Sequence, residues 1–436
     1  MTTEPLGVAL IGVGTVGGGV ARLLDQAADR LAARAGRRLV LRHAVVRDLE
    51  KPRAAPIDPA IVTTDYRRAL ADPAVGVVVE AIGGVEPALA LVLDALAAGK
   101  HVVTANKALL AERGPEVFAA SRRAGRAVAF EASVGGGIPI VQALAVGLAA
   151  NQVQSLSAIL NGTCNFILTA MTREGLPYAE ALARAQALGY AEADPTLDVD
   201  GTDTAHKLAI LAQLAFGCTV RTAQIPRTGI DRLQPADVRY AAELGYTVKL
   251  LALARFADTG LELRVAPTLV RHATPLADVA GPYNAIRVVG DAVGDTLFYG
   301  RGAGAMPTAS AVVADLIDVA TGRALLASRT LDPWPADAPP ARLAPPSAVR
   351  RRHYLRFAIA DRPGVIASIA YALGDHGISI ASVIQHEPAD DAPAGAPVPL
   401  VMMTHSAAES LLSTALADID RLDAVRAPSV CMGVED

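Results

Sequence analysis

The sequence is poor in lysine. Of its 40 Lys+Arg, only Lys51, Lys100, Lys107, Lys207 and Lys249 are lysine. Arginine holds an anion as well as lysine does but does not release a proton near neutral pH. In a chain that otherwise uses arginine, each lysine therefore raises a chemical question. Aromatic residues make up 4% against 52% hydrophobic, which excludes a core of packed rings and implies Ala, Val, Leu and Ile in α/β layers. Cysteine is equally scarce: Cys164, Cys218 and Cys431 are odd in number and scattered. That excludes a disulfide framework or a cysteine metal site and fits a reducing compartment. A net charge of −4 offers no basic footprint for nucleic acid and no polybasic membrane patch. No apolar run approaches the ~20 residues of a membrane span, and MTTEPLGVALIGVG lacks the basic start of a signal peptide. The expectation is a cytoplasmic protein with neither nucleic acid nor membrane as partner.

At 436 residues more than one core is expected. Residues 1–150 alternate short apolar strands (LGVALI, LVLRHAVV, VGVVVEAI, GKHVVT) with helical stretches such as PALALVLDALAA. This predicts a doubly wound parallel sheet of Rossmann type. Residues 151–306 mix strands and helices as a separate α+β unit, and PTASAVVADLIDVA, within 307–325, reads as a helix returning to the first domain. The stretch 331–352 opens with six prolines in sixteen residues and reads as a stiff linker. Beyond it, 353–436 reads strand, helix, strand, loop, strand, helix, strand, a small module of its own.

GVGTVGGGV follows the first strand and opens a helix. Gly12, Gly14 and Gly17 match G-x-G-x-x-G, whose glycines permit a tight turn and a close approach of pyrophosphate to helix N–H groups. A glycine-rich turn without a ligand would carry the same letters; the strand before and the helix after favour the dinucleotide. At the tip of the second strand stand Arg47 and Asp48, with Lys51 and Arg53 following. An arginine there suits a 2′-phosphate and an acid a 2′-hydroxyl, so NADP is expected with NAD left open. Lys107, in TANKALLA, stands just past a strand end, where open α/β sheets bind ligands. In EASVGGGIPI, Glu131 and the carbonyls of a glycine-rich turn offer oxygen ligands to a hard monovalent cation, although a plain tight turn would look the same.

GYAEADPTLDVDGTDTAHKLAIL sets five acids, Glu192, Asp194, Asp198, Asp200 and Asp203, ahead of one lysine. Asp203 and Lys207 are four apart and share a helix face. On a solvated surface such a pair is worth a few tenths of a kcal/mol. The helix around it is strongly apolar, which suggests burial with the polar face in a cleft. There Lys207 can give or take a proton while Asp203 orients it. Glu192 or Asp194 could hold a substrate ammonium. Cys164, in NGTCNFILT, has no histidine in visible relation to it and reads as a packed cysteine rather than a nucleophile.

IGVGTVGGGV, TANKALLA, EASVGGGIPI, NGTCNFILT, the acidic stretch with HKLAIL and GRGAGAMPTASAVVADL together resemble homoserine dehydrogenase, in that family's order and over roughly residues 5–325. The tail, FAIADRPGVIASIAYALGDHGISIASVIQ, resembles an ACT domain with its βαββαβ order. The resemblance implies NAD(P)-dependent interconversion of L-homoserine and L-aspartate 4-semialdehyde, on the route to threonine, methionine and isoleucine. It implies Lys207 as the acid/base, Asp203 and Glu192 as substrate contacts, and Lys107 at the cofactor–substrate junction. Thr15, Val16, Arg47, Thr104, Gly189 and Gly304 match cofactor-contacting positions. Glu131, with the carbonyls of Val134, Gly136 and Ile138, matches a sodium site. Threonine inhibition through the tail and a homodimer or homotetramer are further implications. The loop 387–399 is less typical of the tail. The competing readings are another ACT-linked amino-acid dehydrogenase and an amino-acid sensor without catalysis. All three candidate catalytic residues, Lys207, Asp203 and Lys107, are present, which argues against the sensor.

Overall fold

A computed structural model describes residues 4–51, 55, 57–330, 334, 335, 337–386 and 395–435. Arg53 and most of the 387–399 loop lie outside them. The chain divides into two compact units: residues 1–162, 202–226 and 282–341 form the first, and 163–201, 227–281 and 342–436 the second.

The first unit is organised by six strands: β1 (Leu6–Ile11), β2 (Leu39–Val45), β3 (Val62–Thr63), β4 (Val75–Glu80), β5 (His101–Thr104) and β6 (Val128–Ala129). Their order is β3-β2-β1-β4-β5-β6, with every pair parallel. All six residues of β1 are buried, as expected of a strand covered by helices on both faces. The covering helices are α1 (Thr15–Gln26), α2 (Ala28–Ala35), α3 (Tyr66–Ala71), α4 (Glu86–Ala97) and α5 (Lys107–Ala124). The chain leaves β1 for one side of the sheet and returns at β4 to build the other, so the switch point falls between these two strands. Ligands bind such sheets at that point, beyond the strand C-termini.

The helix Ala305–Thr321 joins this sheet's core through Ala309, Val312 and Leu316, packed with Val8, Leu10, Val20 and Leu24. Its start lies so close to α1 that a Cβ on Gly19 would come within 2.6 Å of the Ala305 carbonyl oxygen. Two described residues of the proline-rich stretch contact the rest of this unit. Trp334 is buried and stacks on Phe118 at 4.5 Å, and Thr219 N–H donates to Pro339 O at 2.9 Å. The unit also contains the antiparallel strands Val153–Ile159, Tyr283–Gly290 and Gly294–Arg301 and the helix Thr202–Phe216.

In the second unit the long hairpin Tyr246–Ala257/Gly260–Arg271 continues into the C-terminal module. Strand Val425–Glu435 runs parallel to Gly260–Arg271 and antiparallel to His353–Ile359. The module is βαββαβ, with helices Val365–Asp375 and Glu409–Ile419 closing over Leu355, Phe357, Leu400 and Met402. One face of His353–Ile359 supplies that core. The other presents Arg356 to Asp237, at the start of helix Pro235–Glu243, through two bonds of 2.6 and 3.1 Å. Tyr354 donates to the same carboxylate at 3.3 Å.

His353 is 2% exposed. Burial, with the charges of Arg351 and Arg264 beside it, depresses its pKa to about 3. The unfolded chain therefore binds this proton more readily between about 3 and 6.5, and stability rises with pH across that window. We expect the melting temperature to fall as pH is lowered from 6.5 towards 4, and His353→Gln to flatten part of that slope. Parallel slopes for the two proteins, measured by thermal denaturation, would contradict it.

Candidate active site

The glycine-rich turn sits at the switch point. Gly12 has φ +96°, and a Cβ there would lie 2.5 Å from the Ala81 carbonyl oxygen. At Gly17 a Cβ would fall 2.0 Å from the Gly12 carbonyl oxygen. These two glycines let the turn close on itself. Gly14 differs: its backbone is extended and a Cβ would meet nothing within 4 Å. The turn is therefore open at Gly14, beside Thr15 and Val16 in the first turn of α1. Gly304 precedes the helix Ala305–Thr321 with φ +121°, so two helix N-termini flank this edge of the sheet, each favouring negative charge. Arg47 is exposed just beyond the end of β2, and the neighbouring Asp48 accepts the Glu50 amide at 2.9 Å. Thr104 closes β5, but its hydroxyl is buried. It donates to Glu80 at 2.5 Å and accepts the Asn106 amide at 3.0 Å.

Lys107 opens α5 behind Asn106, whose side chain accepts the Leu109 amide at 3.1 Å and caps the helix. Its ammonium lies 3.0 Å from one oxygen of Asp203. The other oxygen accepts Lys207 at 2.7 Å and the Asn161 amide at 3.0 Å. Lys207 also donates to the Leu160 carbonyl at 2.8 Å. An ammonium has three N–H donors, so one remains beyond these two bonds. Burial pushes the Asp203 carboxyl up, but the charges and hydrogen bonds of Lys207 and Lys107 outweigh it and hold the group well below the usual carboxylate range. Asp203 is thus a fixed anion between two ammoniums. Their side chains differ in exposure, 11% for Lys207 and 39% for Lys107. The more buried lysine, Lys207, is also held by the Leu160 carbonyl, while Lys107 is the one nearer solvent.

Sequence reasoning paired Asp203 with Lys207 and found Lys107 apart from them, but it missed Asn161 and the Leu160 carbonyl. The letters LNG before TCNFILT carried no sign of a bond across 42 residues.

Glu192 and Gly189 stand in the second unit, after helix Tyr178–Ala187. Gly189 has φ +74°. Glu192 is exposed, and its carbonyl accepts the Gln186 side chain at 3.1 Å. Asp194 is committed locally: its carboxylate accepts the Thr196 amide at 3.1 Å and the Thr196 hydroxyl at 2.6 Å. Cys164 is buried and donates to the Asp198 carbonyl at 3.2 Å.

Around the second glycine turn, the Glu131 carboxylate accepts the amides of Val141 and Gln142 at 2.9 and 2.8 Å. Burial raises its pKa to about 7 against those bonds. Each carboxylate oxygen accepts one of these bonds and keeps a further lone pair. Gly136 has φ +54°, and a Cβ there would lie 2.4 Å from the Gly302 carbonyl oxygen, so the loop that presents Val134, Gly136 and Ile138 depends on glycine. Among the described residues, no cluster of His, Cys, Asp and Glu side chains suits a metal, and no helix is long and apolar enough to cross a membrane.

A switch-point glycine turn, together with a buried Asp203 held between two lysines, fits a dinucleotide-binding oxidoreductase. Comparison with known proteins names it further. Residues 12–131 match the model described as homoserine dehydrogenase, NAD binding domain, 139–317 match homoserine dehydrogenase, and 353–424 match the ACT domain. The chain is 44% identical to the homoserine dehydrogenase of Pseudomonas aeruginosa, over 99% of both chains. It is also 44% identical to that of Neisseria gonorrhoeae, again over 99% of each. The crystal structure of a homoserine dehydrogenase from Thiobacillus denitrificans superposes with a TM-score of 0.90 at 45% identity, covering 100% of this chain and 99% of that one. The chain belongs to the homoserine dehydrogenase family, with a C-terminal ACT domain.

Proposed function

We propose that the protein interconverts L-aspartate 4-semialdehyde and L-homoserine with a nicotinamide cofactor, Lys207 supplying or taking the hydroxyl proton. The observation that carries this is the buried Lys207, fixed by Asp203 and the Leu160 carbonyl with one N–H to spare. When bound, the nicotinamide gives or takes the hydride. Hydride addition to an aldehyde leaves negative charge on oxygen, and a positioned ammonium both stabilises that charge and protonates it. Asp203 holds Lys207 aimed through their 2.7 Å bond. Lys107, more exposed and on the same carboxylate, sits where cofactor and substrate meet. Glu192 takes the substrate ammonium.

NADP is the proposed cofactor, with NAD use open. Gly12, Gly14, Gly17, Thr15 and Val16 would cradle the pyrophosphate, Arg47 would meet the 2′-phosphate, and Thr104, Gly189 and Gly304 would line the remainder. Glu131, with the carbonyls of Val134, Gly136 and Ile138, would hold a sodium ion, which supplies fixed positive charge to the loop. A homodimer or homotetramer, threonine as effector of the ACT domain and a cytoplasmic setting complete the reading.

The test is NADPH consumption by the full chain with aspartate semialdehyde, with NADH in parallel and threonine added. Turnover supports the reading; cofactor binding without turnover with either nucleotide overturns it. Gly14→Val isolates the cofactor's part, because the added side chain starts from a Cβ that meets no protein atom. We expect an unchanged melting temperature and a Kd for NADPH at least about tenfold higher, read by nicotinamide fluorescence, since close backbone approach is the purpose of such a glycine. Equal affinity would remove Gly14 from the cofactor site.

A further inference from the structure

Glu80 ends β4 at the switch point and is 0% exposed. One carboxylate oxygen accepts the amides of Ile82 and Gly83 at 2.9 and 3.2 Å. The other accepts the Thr104 hydroxyl at 2.5 Å. That hydroxyl accepts the Asn106 amide at 3.0 Å, and the Asn106 side chain donates to the Gly84 carbonyl at 2.7 Å while capping α5. The next residue is Lys107. Three donors converge on Glu80, which suits an acceptor-only carboxylate; an amide in its place would turn an NH₂ towards the Thr104 hydroxyl.

We propose that Glu80 is a positioning residue for the reaction. It ties the ends of β4 and β5 and the loop 81–84 to the cap of α5, and so fixes where Lys107 stands against Asp203. This rests on the reading of Lys107 given above. A buried polar group is costly unless its hydrogen bonds are made, and those of Glu80 lead through Thr104 to Asn106, the residue before Lys107. Its action on catalysis runs through Lys107, so the two residues form one functional unit and their effects on rate are not independent.

The experiment is a double-mutant cycle in the full-length enzyme with Glu80→Ala, Lys107→Ala and the pair, measuring kcat, KM for aspartate semialdehyde, Kd for NADPH and melting temperature. Glu80→Ala is expected to lower kcat about 10–100-fold, the scale of a displaced catalytic group, while NADPH Kd moves less than about threefold. In the Lys107→Ala background, adding Glu80→Ala is expected to lower kcat by less than about twofold, since the target of its action is gone. Glu80→Gln, which keeps the acceptor for the two loop amides, is expected to fall between wild type and alanine, and it carries the same cycle if the alanine variant is insoluble. Effects that multiply in the double variant would overturn the proposal, as would Glu80 variants with wild-type kcat beside a crippled Lys107→Ala. If Lys107→Ala itself turns over normally, the reading of Lys107 fails, and the Glu80 proposal falls with it.

Discussion

Lys207→Ala is expected to lower kcat by about 10²–10⁴-fold, the usual contribution of a positioned proton donor, with NADPH affinity kept. Asp203 retains Lys107 and Asn161 as partners in that variant, so the buried carboxylate is not stranded and the fold should survive. Lys207→Arg separates charge from proton transfer. A guanidinium keeps the positive charge beside the developing alkoxide but does not give up its proton near neutral pH. We expect it to remain at least about 100-fold below wild type. Steady-state kinetics with both variants, beside their NADPH titrations, decide the matter. An arginine variant near wild-type rate would reduce Lys207 to an electrostatic role.

Asp237→Ala is expected to unfold the second unit at much lower temperature. Asp237 is 0% exposed and takes two bonds from Arg356 and one from Tyr354. Removing one partner of such a pair leaves an uncompensated buried charge, at a cost of about 3–5 kcal/mol. That corresponds to a fall in melting temperature on the order of 10 °C for a unit of this size. Replacing both partners together, as Asp237→Leu with Arg356→Met, should recover most of the loss, because the stranded charge goes with its partner. Thermal denaturation of the three variants gives the comparison. A single variant as stable as wild type would show that Arg356 finds another partner. The pair also joins helix Pro235–Glu243 to the first strand of the ACT domain. Any effector response of the tail should therefore weaken in the single variants.

The elements that repeat a local pattern could be read without a structure. The parallel sheet followed from short apolar runs alternating with helices, and β1 is buried along its whole length as such a run requires. The i,i+4 pair of Asp203 and Lys207 was visible because a helix brings those positions together by its own geometry. Bonds between distant segments left no such trace. Nothing in TANKALLA indicates that Lys107 reaches Asp203, and Asn161 looked like one letter of a motif. Nothing in VGVVVEAI sets Glu80 apart, though it accepts three donors. The acids before Lys207 suggested a shared ligand, yet Asp194 is turned to Thr196. Asp237 and Arg356 are 119 positions apart, and each alone reads as an ordinary surface charge.

The central claim is that a proton on Lys207 is moved in the reaction. Its most direct test is rescue of Lys207→Ala by small primary amines added to the assay, compared with the corresponding guanidines. Truncation to alanine leaves room at the end of helix residues already buried around it, where a methylammonium-sized group can sit against Asp203 and the Leu160 carbonyl. The account predicts that kcat recovers in proportion to amine concentration, with a dependence on amine pKa, and that guanidines of similar size do not restore it. Equal rescue by amine and guanidine, or a variant that turns over at the wild-type rate with neither, would contradict it.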